Sequence, residues 1–269
     1  MPTLKPRIAA VSYLNTVPLV WGALHGKQQR EMDVNFLLPS ECADAVRSGL
    51  ADIGILPVIE IARQGLEIFP GTGIACHGAV RSILLISKVP PEQIRTLACD
   101  RGSRTSVMLA RVILEERYGA SPVLLPPSSP QLEQMLKTAD AALIIGDAAL
   151  AIDPASVQYM ALDLGQEWLE LSGHPMVFAA WAGAPQWITP ELTGAFIDSL
   201  AFGRQHLDDI VAQESVKRGF SKAVTREYLT RYIVFDLGQA EYDGMRAFLN
   251  KAAKLEPGLL DTVAENVTL

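Results

Sequence analysis

Short apolar runs alternate with amphipathic segments over most of the chain. The apolar runs predict β-strands at residues 7–11, 34–38, 51–57, 80–87, 96–99, 122–125, 141–147 and 176–181. Apolar residues at helical spacing predict helices at residues 18–26, 40–49, 103–118 and 131–137, and from residue 189 onward the rest is predicted to be helical. Ser40 is the predicted cap of the second helix, with Cys42, Val46 and Leu50 on its apolar face. This alternation is typical of an α/β protein with parallel strands.

Two proline-containing segments suggest where the chain passes between domains. Pro90-Pro91 follows the strand at 80–87, and His174-Pro175 precedes the strand at 176–181. We predict a discontinuous first lobe formed by residues 1–87 and 177–269, and a second lobe, residues 88–176, inserted into it. A cleft between two lobes is a common place for a small-molecule site.

Composition narrows the classes of function. The chain has 269 residues, 49% of them hydrophobic, and a net charge of -7, which argues against a nucleic-acid partner. We find no secretory signal and no apolar run near the roughly 18–20 residues that span a bilayer, so we expect a cytoplasmic protein without a membrane partner. Cys42, Cys76 and Cys99 form no C-x-x-C pair, which fits reduced thiols.

The first candidate site is a polar junction between the first strand and the first helix. Ser12, Asn15 and Thr16 offer hydroxyl and amide groups there, and Pro18 suits the first turn of a helix. Ligands of open α/β sheets collect beyond the carboxyl ends of strands, so the junction could receive a small anion. Alternatively, these residues form an Asx or Ser/Thr turn that only caps the helix.

A second polar junction precedes the helix at 103–118. Arg101, Ser103, Arg104, Thr105 and Ser106 bring hydroxyls and two arginines to the positive end of a helix, which is a favourable place for a carboxylate or phosphate. The alternative is a set of ordinary N-caps with solvated arginines.

The sequence gives little support for a nucleotide-cofactor site or a metal site. There is no Walker loop and no G-x-G-x-x-G motif, and the four histidines are scattered. We therefore expect neither a cofactor nor a metal. Ser82, predicted on the strand at 80–87 with Val80 and Leu84 on the same face, is either a buried hydroxyl or a residue at the cleft end of that strand.

Several motifs resemble the menaquinone-biosynthesis dehydratase family. They are V-S-Y-L-N-T-x-P-L at 11–19, the segment 39–58, G-x-V-R-S-I-L-L-I-S at 78–87, S-R-T-S-V at 103–107, I-I-G-D-A-A-L at 144–150, D-L-G-Q-E-W at 163–168 and P-M-V-F-A-A-W at 175–181. The resemblance implies a two-lobed fold like the type II periplasmic binding proteins, each lobe a mixed, mostly parallel sheet flanked by helices. It also implies a cofactor-independent lyase of the futalosine route to menaquinone, which removes water from chorismate to give 3-[(1-carboxyvinyl)oxy]benzoate.

The resemblance also implies site residues. It places Asn15 and Ser82 at the reacting ring, where we expect Asn15 to polarise the departing hydroxyl and Ser82 to orient or relay a proton. The residues expected to bind substrate are Ser12, Tyr13, Thr16, Ser103, Arg104, Thr105, Ser106, Gly146 and Asp147. Because these motifs contain no matched base, we expect a substrate carboxylate to accept the ring proton.

Two other functions remain open. One is a non-catalytic module of the same fold that binds a small anion, since a fold does not decide a function. The other is the sister enzyme 1,4-dihydroxy-6-naphthoate synthase, although the S-Y-L-N-T opening and the S-x-T-S helix start favour the dehydratase.

Overall fold

The computed structural model describes residues 5–260 and has the predicted α/β class. The strands are β1 (Arg7–Val11), β2 (Asp33–Leu37), β3 (Ile53–Pro57), β4 (Glu67–Cys76), β5 (Ile83–Ser87), β6 (Thr96–Cys99), β7 (Val123–Leu124), β8 (Ala141–Ile145), β9 (Met160–Asp163), β10 (Met176–Gly183) and β11 (Val234–Leu237). The helices are α1 (Val17–His25), α2 (Pro39–Arg47), α3 (Val58–Gln64), α4 (Thr105–Tyr118), α5 (Leu132–Thr138), α6 (Gly146–Leu150), α7 (Leu164–Ser172), α8 (Pro190–Gln205), α9 (Leu207–Arg218), α10 (Lys222–Glu227) and α11 (Gln239–Leu255).

The strands form two sheets, and both are mixed. The first has the order β11-β4-β10-β3-β1-β2, and the second has the order β7-β6-β8-β5-β9. In the first sheet β1 pairs in parallel with β2 and β3, while β10 is antiparallel to β3 and β4, and β11 is antiparallel to β4. In the second sheet β6 is parallel to β7 and β8, while β5 is antiparallel to β8 and β9. The sheets are mixed, as expected, but they are not mostly parallel, because β5, β10 and β11 run antiparallel to each strand that they pair with.

The chain passes from the first sheet to the second slightly before the predicted lobe boundary between residues 87 and 88. β5, which we assigned to the first lobe, pairs with β8 and β9 of the second sheet. The crossing thus lies in the loop before β5, where Gly78 and Arg81 have positive φ, and not at Pro90-Pro91. β10 returns to the first sheet, as the strand at 176–181 predicts.

Some local predictions need correction. Helix α2 begins at Pro39 with Leu38 as its N-cap, so Ser40 lies inside the helix, and Leu50 lies beyond it with 72% of its surface exposed. Ser82 precedes β5 instead of lying within it. β11 interrupts the C-terminal region that we predicted to be helical throughout.

Helices α1 and α8 pack closely against the first sheet. A side chain at Gly203 of α8 would place its Cβ 2.2 Å from the Pro18 carbonyl oxygen of α1, so glycine permits this approach. Ser199 of α8 donates to the Leu19 carbonyl at 2.8 Å and accepts from the Ala23 N–H at 3.1 Å. These contacts hold α1, and with it the loop after β1, in a fixed position.

Across residues 5–260, no helix is long and apolar enough to cross a membrane.

Candidate active site

A cavity lies between the two sheets, where β1 and β8 end and where β5 and α4 begin. It has a volume of about 530 Å³, part of which is open to solvent. Its lining residues are Val11, Tyr13, Asn15, Pro39, Pro57, Ile74, Val80, Ser82, Ile83, Gly102, Ser103, Arg104, Thr105, Ser106, Ile145, Gly146, Phe178 and Ala179. A mainly apolar pocket with a few converging polar groups is the usual form of a small-molecule site.

Most of the predicted site residues line this cavity, namely Tyr13, Asn15, Ser82, Ser103, Arg104, Thr105, Ser106 and Gly146. Ser12, Thr16 and Asp147 do not line it. Thr16 is fully buried, the Ser12 carbonyl accepts from Arg218 Nη1 at 3.0 Å, and Asp147 Oδ1 accepts from the Leu14 N–H at 2.9 Å. We expected these three residues to bind the substrate, but the structure does not place them in the cavity wall.

Asn15 and Ser82 are joined by Tyr228. The Tyr228 hydroxyl donates to Ser82 Oγ at 2.7 Å and accepts from Asn15 Nδ2 at 3.1 Å. Tyr228 is 1% exposed and lies behind the cavity-lining residues. The sequence pattern did not indicate this contact, because residue 228 falls in a region that it predicts only as helical.

Ser82 is carried by a constrained loop. The Asp163 carboxylate at the end of β9 accepts from the Val80 N–H at 2.9 Å and from the Arg81 N–H at 2.7 Å. Arg81 has a φ of 64°, a left-handed conformation that is uncommon outside glycine. Burial raises the pKa of Asp163, although its backbone hydrogen bonds act in the opposite direction. Asp163 also caps α7, so one carboxylate fixes both the helix and the loop before Ser82.

Helix α4 starts at the cavity without a side-chain cap. Its N-cap residue is Arg104, whose side chain makes no capping hydrogen bond, and residues 103–106 all line the cavity. Ser103 Oγ is buried and has no hydrogen-bond partner among residues 5–260. The first N–H groups of a helix are unpaired and carry partial positive charge, so they bind anions. This helix start can therefore accept a carboxylate.

Tyr13 packs directly on Gly146. The φ of Gly146 is +62°, and a Cβ there would lie 2.6 Å from the Tyr13 ring. Only glycine fits both the conformation and the space. Burial is the largest influence on the Tyr13 phenol and raises its pKa, so Tyr13 keeps its proton at neutral pH. The ring thus forms a neutral wall between the two sheets.

Comparison with known proteins places the chain in a family. A model of the menaquinone biosynthesis family matches residues 6–254. The chain belongs to this family. A chorismate dehydratase of Thermus thermophilus is 25% identical over 202 residues, which cover 69% of this chain and 73% of that protein.

Solved structures confirm that this member of the menaquinone biosynthesis family has a periplasmic-binding-protein-like fold. A protein from Archaeoglobus fulgidus has a TM-score of 0.74 at 14% identity, covering 95% of this chain and 98% of that one. The periplasmic aliphatic sulphonate binding protein of Escherichia coli has a TM-score of 0.63 at 15% identity, covering 93% and 86%. At these identities, the likeness concerns the fold alone.

In this menaquinone biosynthesis protein, Arg104 bridges the two sides of the cleft. It follows β6 of the second sheet, and its guanidinium donates to Glu60 Oε2 and to Asp44 Oδ2, each at 2.8 Å. Glu60 lies on α3 and Asp44 on α2, which follow strands of the first sheet. Arg101, by contrast, is exposed and does not line the cavity. The charge of Arg104 is therefore already paired within the protein.

A second bridge involves Asp147 at the start of α6. Its Oδ2 pairs with Arg218 Nη1 of α9, and its Oδ1 accepts from the Leu14 N–H. Arg218 also donates through Nε to Glu214 Oε2 at 2.7 Å. Burial raises the pKa of Asp147, while the charge of Arg218 opposes this effect. Asp147 thus connects the two sides of the cleft instead of facing into the cavity.

Acid should weaken the bridge formed by Glu60. Burial raises the pKa of Glu60, but the hydrogen bond from Arg63 and the charges of Arg104 and Arg63 outweigh burial, so the pKa lies below its ordinary value of 4.5. A carboxylate with a lowered pKa stabilises the fold above its ordinary pKa and loses this contribution as the pH falls through the folded-state value.

We therefore expect Glu60→Gln to be less stable than the parent at neutral pH but to lose less stability on acidification. The measurement is the free energy of unfolding in urea at a series of pH values from about 6 to about 3, a range that includes the ordinary carboxyl pKa of 4.5. The difference between the two pH profiles reports the Glu60 carboxylate together with its coupling to Arg63 and Arg104. Parallel pH profiles would contradict this prediction.

Proposed function

We propose that this chain is a chorismate dehydratase, which removes water from chorismate to give 3-[(1-carboxyvinyl)oxy]benzoate in the futalosine route to menaquinone. One observation carries the proposal: Asn15 and Ser82 line the same cavity as the uncapped start of α4. Membership of the menaquinone biosynthesis family and the similarity to a chorismate dehydratase support it. We also propose that the reaction takes place in the cytoplasm.

Chorismate fits the chemistry of this cavity. It is a dianion with one carboxylate on a six-membered ring and another on its enolpyruvyl ether. The start of α4 and the Ser103 hydroxyl offer donors to one carboxylate, and apolar residues such as Ile74 and Phe178 surround the ring. Local dipoles must supply this attraction, because a net charge of -7 repels an anion at long range.

The reaction breaks two bonds on adjacent ring carbons. A proton leaves the carbon that bears the ether, and the hydroxyl leaves the neighbouring carbon, so that one water is lost and the ring becomes aromatic. Aromatisation supplies the thermodynamic drive. The protein therefore has to hold the ring and place a base and a proton donor correctly.

The base in our proposal belongs to the substrate. Within the described part of the chain, no Asp, Glu or His lines the cavity, and the raised pKa of Tyr13 keeps that phenol protonated. The enolpyruvyl carboxylate, held beside the ring hydrogen, accepts the proton. A well-placed intramolecular group of this kind gains several kcal/mol from its effective concentration. Asn15 then polarises the departing hydroxyl and Ser82 donates a hydrogen bond to it. The proton taken up by the carboxylate passes to this oxygen, so that the group leaves as water and the carboxylate is regenerated.

The test is to mix purified protein with chorismate and follow the ultraviolet spectrum, with product identification by mass. We expect the diene absorption to be replaced by that of an aromatic product that is lighter by one water. Tight binding of chorismate without conversion would replace the proposal with a binding module. No binding and no conversion would favour the sister enzyme, which acts on a cyclised futalosine derivative.

A further inference from the structure

Among the described residues, only Tyr228 forms hydrogen bonds to both Asn15 and Ser82. A phenol has a single hydrogen to donate, and Tyr228 gives it to Ser82 Oγ while accepting from Asn15 Nδ2. This direction leaves the Ser82 hydrogen and Asn15 Oδ1 unoccupied by other described groups. The opposite direction would occupy the Ser82 hydrogen and make Asn15 an acceptor through Oδ1.

The fold holds Tyr228 firmly in place. It begins a π-helical segment, Tyr228–Tyr232, closed by a hydrogen bond of 3.3 Å from the Ile233 N–H to the Tyr228 carbonyl. Such wide turns are rare, and they redirect side chains at functional sites. β11 follows at once and pairs with β4, so the segment is anchored to the first sheet. The phenol therefore has one position behind the cavity.

Tyr228 cannot serve as a charged base. Burial is the largest influence on it and raises its pKa, which keeps the hydroxyl protonated at neutral pH. It also lies outside the cavity lining, behind Asn15 and Ser82. Any effect of Tyr228 on the reaction must pass through Asn15 or Ser82.

We propose that Tyr228 is a positioning residue that sets the direction of the Asn15–Tyr228–Ser82 hydrogen-bond chain, so that Ser82 donates to the hydroxyl that leaves the substrate. The proposal rests on the dehydratase function proposed above. Tyr228 itself gives up no proton in this account. It determines only which way the Ser82 hydroxyl points and which atom of the Asn15 amide remains free.

Tyr228→Phe keeps the ring and removes the hydroxyl. We expect kcat for chorismate to fall about 10–100-fold, the usual range for an outer partner of a reacting group, with KM little changed. The matched control is Tyr242→Phe, because Tyr242 is also a buried phenol, accepting from the Gly71 N–H at 3.0 Å away from the cavity. Its kcat should stay at the parent value. Equal losses of kcat in the two variants would overturn the proposal.

A double-mutant cycle separates positioning from general structural support. If Tyr228 acts through Ser82, then adding Tyr228→Phe to Ser82→Ala lowers kcat little further, since the donor is already absent. If the two substitutions instead reduce kcat by independent factors, Tyr228 does not act through Ser82, and the proposal fails.

A spectroscopic measurement tests the Asn15–Tyr228–Ser82 hydrogen-bond chain without requiring turnover of substrate. The side-chain amide of Asn15, followed by ¹⁵N–¹H NMR, should shift in Tyr228→Phe and also in Ser82→Ala, although Asn15 and Ser82 share no hydrogen bond. Tyr242→Phe should leave it unchanged. The Ser82→Ala spectrum decides the matter even if Tyr228→Phe does not fold.

The two proposals can fail separately. An unchanged Asn15 signal in Ser82→Ala refutes the hydrogen-bond chain, whether or not the parent protein converts chorismate. If the Asn15 signal shifts in Ser82→Ala but the parent protein does not convert chorismate, the dehydratase function is refuted and the hydrogen-bond chain through Tyr228 is supported.

Discussion

Alanine in place of Ser82 is expected to lower kcat for chorismate by about 10²–10³-fold, the usual effect of removing one preorganised hydrogen-bond donor at a leaving or developing charge. Asn15→Ala should have an effect of similar size, because Asn15 lines the same cavity and shares Tyr228 with Ser82. The binding groups at the start of α4 remain, so KM should change less than kcat.

Ser87→Ala is the matched control for Ser82→Ala. Ser87 lies at the far end of β5, is equally buried at 2% exposure, and donates to the Val89 carbonyl at 2.7 Å. Losing its hydroxyl should affect stability but not kcat. The measurement is steady-state kinetics of aromatic product formation, with circular dichroism to confirm folding. Turnover at the parent rate by both Asn15→Ala and Ser82→Ala would refute their assignment.

Gly203→Ala should destabilise the fold by about 2–3 kcal/mol, because its Cβ would meet backbone atoms that cannot rotate away. That Cβ would lie 2.2 Å from the Pro18 carbonyl oxygen, so α1 and α8 would have to separate. Since α1 follows the loop that carries Asn15, we also expect activity to fall at temperatures where the variant is still folded.

Gly194→Ala in the same helix provides a control of opposite sign. No heavy atom of the described residues lies within 4 Å of a Cβ at Gly194, and alanine is preferred to glycine inside a helix by about 0.5–1 kcal/mol. Urea unfolding should show Gly194→Ala slightly more stable than the parent and Gly203→Ala much less stable. Two variants of equal stability would contradict the close contact of α1 with α8.

Hydrophobic patterning predicted the elements whose signals are local. β1 and β6 have the predicted bounds, and α4 ends at Tyr118 with Gly119 in the left-handed conformation. β11 escaped prediction because it is four residues long and surrounded by helical sequence, and its pairing with β4 depends on distant residues. The hydrophobic pattern also could not predict whether the strands pair in parallel or antiparallel, since an apolar run does not determine which strand lies next to it.

The candidate site was predictable only in part, for a similar reason. Asn15 and the start of α4 follow strands in the sequence, and such junctions are where ligands bind. Ser82 was assigned by resemblance, and its loop depends on hydrogen bonds from Val80 and Arg81 to the distant Asp163 carboxylate, a contact that the sequence pattern does not indicate. Tyr228 lies 146 residues from Ser82. Ser12 and Asp147 look equally polar in sequence, yet the fold uses them for contacts within the protein.

The arrangement of the first sheet has a consequence for biosynthesis on the ribosome. The second sheet runs from Ile83 of β5 to Asp163 of β9, so all its strands are synthesised before β10, which separates β3 from β4 in the first sheet. Chains emerge from the N-terminus and their parts fold as they become available. A nascent chain can therefore complete the second sheet before the first, and Tyr228 can reach Asn15 and Ser82 only after β10 has been synthesised.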